Sequence, residues 1–95
     1  STDASGNVVG VGDCEAQSRQ IMSNIRDVIA AAGGRIEDVA KITCFLTNMD
    51  NYAAYAKVRL ETWPSNPPAS STVGVAALVR PEFLVEVEAI VRLPD

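Results

Sequence analysis

The chain has 95 residues, 47% of them hydrophobic, enough for one domain spanning 1–95 with a modest core, because a chain this short buries only a little over ~60% of its unfolded surface. A net charge of −4 and a pI near 4.6 argue against a nucleic-acid groove, whose affinity comes mainly from neutralising phosphates. There is no histidine, so Ser-His-Asp and Cys-His nucleophile systems and histidine-ligated metal sites are excluded, and neither metal nor cofactor is expected.

No apolar run approaches the roughly 20 residues of a membrane helix, and the first residues are polar, so no membrane partner and a cytoplasmic location are expected. Cys14 and Cys44 are too few for a disulfide scaffold and lack zinc-site spacing. Any acid or base must then be Asp, Glu, Lys, Cys, Tyr or an organised water.

In chain order, Ser1 to Gly12 reads as loop, with a turn over Asp3-Ala4-Ser5-Gly6-Asn7 and a short extended piece at Val8, Val9 and Val11. From Asp13, an N-cap, Ile21, Ile25, Val28, Ile29 and Ala32 form the stripe of an amphipathic helix that Gly33-Gly34 ends. Met22 and Cys14 read as packing or surface residues. Val39 to Thr47 is rich in β-branched and aromatic residues and predicts a strand buried on at least one face. A second helix is expected from about Asn51 to Thr62, with Tyr52, Tyr55, Ala56 and Trp63 on one stripe and Arg59 inside it.

Asn66-Pro67-Pro68 is a double-proline corner that forces the chain out of helix and into an extended run. Ser70, Ser71 and Thr72 follow where loop becomes strand, and such element ends often hold binding groups. With no histidine or evident lysine base beside them, these hydroxyls suit ligand contact or corner capping better than nucleophilic attack. Two strands are predicted, Ser71 to Leu78 and Leu84 to Leu93, joined by Val79-Arg80-Pro81-Glu82. In the last, Val85, Val87, Ala89 and Val91 share one face, while Glu86, Glu88 and Arg92 share the other with Leu84 and Ile90. A face mixing carboxylates with aliphatics fits a subunit interface better than open water. The order helix, strand, helix, strand, strand predicts an α+β fold with both helices on one side of the sheet.

Glu15-Ala16-Gln17-Ser18-Arg19-Gln20, Ala31-Ala32-Gly33-Gly34 with Glu37-Asp38-Val39, Phe45-Leu46-Thr47-Asn48-Met49, Pro68-Ala69-Ser70-Ser71 and Leu84-Val85-Glu86-Val87-Glu88-Ala89 stand together over nearly all of the chain. This set resembles the RidA/YjgF family, the reactive intermediate deaminases, also called L-PSP endoribonucleases. The resemblance implies a chorismate-mutase-like α+β fold, here short of the family's first two strands. It also implies a homotrimer with small-metabolite clefts between subunits. Members that hydrolyse enamines and imines carry an arginine in a Pro-Ala-Arg-Ser motif, whose guanidinium clamps the substrate carboxylate. Ser70 stands at that position here, Ala56 replaces a family asparagine, and Thr72 stands where some members have a cysteine.

Glu86 matches the glutamate proposed to position the attacking water, which would make it the catalytic carboxylate. A bland alternative is a face carboxylate paired with Lys41 or Arg92. Arg59 either snorkels away or points into the cleft to supply the missing guanidinium from another direction. The resemblance, with these departures, therefore implies a trimer that binds a small metabolite through Ser70, Thr72 and Arg59 without standard 2-imino acid deamination. The alternative is an enamine or imine deaminase in which Glu86 guides water. Ribonuclease activity ranks last.

Overall fold

The computed structural model describes residues 1–94. Helix α1 runs over Cys14–Ala31, strand β1 over Val39–Leu46, helix α2 over Tyr52–Thr62, strand β2 over Ala69–Gly74 and strand β3 over Val85–Val91. Short 3-10 turns precede β1 and α2. The sheet order is β2-β1-β3, with β2 parallel and β3 antiparallel to the central strand. The parallel pair follows from the route of the chain, because β1, α2 and β2 form a crossover and only such a connection returns a strand in the same direction.

Local signals explain the boundaries. The Asp13 side chain accepts from the Ala16 amide at 3.1 Å and caps α1. At the far end Gly33 has φ 87°, a left-handed conformation that ends the helix, and Gly34 N–H returns to Ile29 O at 2.9 Å. Asn48 accepts from Asp50 N–H at 2.9 Å and opens the turn into α2. Asn66, left-handed at φ 52°, turns the chain towards Pro67 and β2. At the start of the chain, the Asp3 carboxylate accepts from the amides of Ser5 and Asn7, and Thr2 bridges Val8, so the expected extended piece is a single bridge.

The core lies between the helices and one face of the sheet. Ile42, Cys44 and Leu46 from β1 and Val85 from β3 pack against Ile21, Met22 and Ile29 of α1 and Tyr55 and Val58 of α2. Trp63 closes the end of this core and donates Nε1–H to Ile36 O at 3.0 Å. A register shift between Val39 and Lys41 leaves Ala40 and Lys41 exposed between the buried Val39 and Ile42.

Three details differ from the sequence reading. Strand β2 starts at Ala69 and ends at Gly74, so the apolar run after Gly74 belongs to a longer connection to β3. Val28, placed on the core stripe of α1, is 71% exposed, whereas Gln17 and Ser18 are fully buried. On α2 the core takes Tyr55 and Val58, while Tyr52 is 39% exposed.

Gln17 explains the burial of polar atoms at the start of α1. Its Nε2 donates to Gly10 O at 3.1 Å and to Glu82 O at 2.8 Å, and its Oε1 accepts from Leu84 N–H at 2.8 Å. One amide thus joins the N-terminal loop to the connection that feeds β3. Gly10 must stay small there, since a Cβ would lie 2.8 Å from that of Ala16, and its φ of 74° is itself left-handed.

Candidate functional site

The parallel register pairs Ile42 with Ser70 and Cys44 with Thr72. Ile42 and Cys44 point into the core, so the Ser70 and Thr72 side chains emerge on the same helix-bearing face, at the open edge of the sheet. Ser71 points the other way, where Lys41 Nζ lies 3.4 Å from its Oγ. Helix α2 crosses above this edge and places Arg59 against it. Arg59 Nη1 is 3.4 Å from Ser70 Oγ, and Nη2 is 3.4 Å from the Tyr52 hydroxyl.

These groups line a cleft of about 550 Å³ together with Thr72, Met49, Leu60, Pro67 and Pro68. That volume lies within the range of small-molecule sites. The double proline forms part of its wall and delivers β2 into it at a fixed angle. Tyr52 and Arg59, both on the predicted stripe of α2, stay together because positions seven apart fall on one helix face.

Below the guanidinium the site is aromatic. Its carbon sits 5.8 Å from the Tyr52 ring centroid and 5.7 Å from that of Tyr55, within cation-π range. Tyr55 is fully buried, and its hydroxyl lies beside the Cys44 thiol and the Arg59 guanidinium without a well-formed hydrogen bond to either. Burial raises the Tyr55 pKa, and it pushes the neighbouring Cys44 thiol up to about 12. Both groups are neutral at physiological pH, and a buried neutral thiol is unreactive.

Glu86 lies elsewhere. It stands opposite Phe45 on β3, across the central strand from β2, and is exposed. It borders a recess of about 210 Å³ with Ile21, Asn24, Ile25 and Val87, which shares no residue with the Arg59 cleft. Among the described residues it forms no ion pair, so the suggested pairing with Lys41 or Arg92 is not made in this chain. Among the described residues no group of His, Cys, Asp and Glu side chains is arranged to hold a metal. Among the described residues no helix is long and apolar enough to cross a membrane. Of the four residues singled out in the sequence, the structure brings Arg59, Ser70 and Thr72 together and leaves Glu86 apart. The flanking Met49 and Leu60 carried no separate signal, because exposed apolar residues beside a turn are common.

A small mixed sheet with two helices on one face and a cleft at the edge of the parallel pair defines a class that comparison with known proteins identifies further. The family described as Endoribonuclease L-PSP matches residues 1–93, and the chain belongs to this family, also known as RidA/YjgF. A Klebsiella pneumoniae protein is 37% identical, aligned over 86% of this chain and 61% of that one, with a TM-score of 0.83. A Yersinia pestis protein of the conserved Rid family, described as of unknown function, is 35% identical over 93% of this chain and 68% of its own, also with a TM-score of 0.83. RidA from an Antarctic Psychrobacter is 34% identical over 83% and 63%, with a TM-score of 0.79. The chain thus spans under two thirds of the Klebsiella and Psychrobacter proteins.

Proposed function

We propose that this chain is a RidA/YjgF-family protein that assembles as a homotrimer and binds a small metabolite at the α2/β2 cleft, without standard 2-imino acid deamination. The observation that carries this reading is the separation of the cleft from the one candidate catalytic carboxylate. Ser70, Thr72 and Arg59 gather at one sheet edge, whereas Glu86 stands on the opposite edge strand and borders a different recess. Hydrolysis of a C=N bond needs an acid or base within hydrogen-bond reach of the reacting atoms, directly or through one water. A single chain does not provide it.

Assembly is supported by the face of the sheet that no helix covers. Val73 is 42% and Ile90 58% exposed there, beside Phe45, Lys41 and Glu88. Burying such a mixed surface against sister chains removes apolar area from water while leaving charges at its rim. The same assembly offers the route to the second reading. If Glu86 of a neighbouring subunit entered the cleft, the chain would be an enamine or imine deaminase with Glu86 directing water.

Sedimentation at micromolar concentration tests the assembly, with a trimer expected and a strict monomer decisive against it. Ammonia release from freshly generated 2-iminopropionate and 3-aminoacrylate tests the chemistry. The expected result is no acceleration over buffer. Acceleration that disappears in Glu86→Gln would establish the deaminase reading instead.

A further inference from the structure

We infer that the outer side of α2 is a second docking surface, and that its occupant is α2 of another copy of this chain, packed antiparallel about a two-fold axis between Ala56 and Lys57. Tyr55 and Val58 fix α2 to the core from its inner side. On the outer side Ala53, Ala56 and Leu60 follow Met49 of the preceding turn at intervals of four, three and four residues. That is the heptad spacing of a seam between two helices. With Tyr52, Lys57 and Glu61 they border a shallow recess of about 640 Å³. The alanines alone would reflect helix propensity, but Leu60 is 61% and Met49 49% exposed in the same row. Isolated exposed apolar residues are ordinary, whereas a row at seam spacing marks a surface that meets another helix.

The row complements itself in shape. With a rise of about 1.5 Å per residue, an antiparallel copy centred there sets Leu60 opposite the gap between the copy's Ala53 and Ala56, and the symmetry repeats the contact. Each leucine is a knob and each alanine pair a hole, and the short side chains let the helix axes approach to about 8 Å. The charges suit a copy better than an acidic or basic partner. On one flank Glu15, Arg19, Lys57 and Glu61 are joined by ion pairs and sum to no net charge. On the other flank Arg59 comes beside Tyr52 of the copy, guanidinium to ring. Tyr52 and Leu60 also border the α2/β2 cleft, so the copy's helix stands at the cleft rim. One contact between 11-residue helices is weak, but two trimers would be joined by three of them at once.

Sedimentation from micromolar to millimolar concentration tests this surface, together with mild oxidation of two cysteine variants of the full chain. Cys14 and Cys44 are buried and leave the added thiol as the reporter. The mass of the assembly is expected to double, to a dimer of a monomeric chain or a hexamer of a trimeric one. Leu60→Glu is expected to raise the midpoint of that step at least about tenfold. In the antiparallel register Ala56→Cys lies within disulfide reach of its counterpart, while two copies of Ala53→Cys stand about 10 Å apart along the axis and stay unlinked. A mass that never doubles overturns the inference and leaves the row to an unrelated partner. Doubling that ignores Leu60→Glu, or linkage at both cysteine sites or at neither, overturns it as well. A trimer that does not double sinks this surface alone, whereas a dimer without a trimer supports it and sinks the trimer. If Leu60→Glu does not fold, the contrast between Ala56→Cys and Ala53→Cys decides alone.

Discussion

Two places in this molecule bring polar groups against the core, and they do so in opposite ways. At the start of α1 the buried Gln17 amide meets backbone partners from two different loops, with three bonds of 2.8 to 3.1 Å. At the edge of β2, Arg59 makes long contacts to neutral hydroxyls, and the buried Tyr55 hydroxyl lies beside it and the Cys44 thiol without a well-formed hydrogen bond. The first arrangement is complete and holds loops in place. The second is incomplete within the chain, which is the usual mark of a group waiting for something else.

The largest expected effect breaks the complete side. Gln17→Leu strands two carbonyls and one amide that water cannot easily reach, and urea unfolding is expected to show a loss of about 3 kcal/mol. A change below about 0.5 kcal/mol would mean that those loops satisfy their backbone groups otherwise. Trp63→Phe keeps most of the buried ring but removes the bond to Ile36 O, with an expected cost of about 1 to 2 kcal/mol.

Alkaline pH probes the buried groups beneath the cleft. Burial holds the Cys44 thiol near 12 and also raises the Tyr55 pKa, so both resist ionisation in the folded state. The unfolded thiol ionises near about 8.5. The stability this difference confers is fully present below that pH and is lost as pH rises towards about 12. Thermal unfolding from pH 8 upward is expected to show a steady fall, and Cys44→Ala should flatten its early part.

Arg59→Gln sharpens the contrast from the incomplete side. With no acid partner to strand, its stability cost is expected below about 1 kcal/mol, mainly lost contact with the tyrosine rings. A larger loss would make Arg59 a structural residue. The smallest effect belongs to the surface pairs. Glu15 is held below the ordinary carboxylate range by Lys57 and Arg19, and Glu61 by Arg19. Their contribution is present above the unfolded carboxylate pKa and fades as pH falls through the lowered values, so the acid limb should shift slightly in Arg19→Ala.

Much of the frame was legible because its signals are local. Asp13 and Gly33-Gly34 bracket α1, β-branched residues mark β1, and the alternation of Val85, Val87, Ala89 and Val91 gives the inward face of β3. The end of β2 was not legible, since Val75-Ala76-Ala77-Leu78 is apolar enough for a strand and only the missing ladder beyond Gly74 shows otherwise. On α2 the sequence offers two apolar sides, and tertiary packing chose Tyr55 and Val58 over Tyr52 and Leu60. Burial of Gln17 depends on residues Glu82 and Leu84 far along the chain, which no periodicity reveals. For the candidate site, the double proline and the hydroxyl run point to the corner where the structure has its Arg59 cleft. That Arg59 turns towards it follows from the crossover, a property of topology.

The crossover also fixes when the cleft comes into being. Its two walls are joined by a parallel ladder that can close only after α2 has folded back over the sheet, and such long-range closure is slow. A compound seated on Arg59 would therefore bind none of the early collapsed forms, drawing molecules onward to the native state by mass action. Recovery from denaturant in the presence of that compound should rise with its concentration, making refolding yield a readout for discovering what the protein carries.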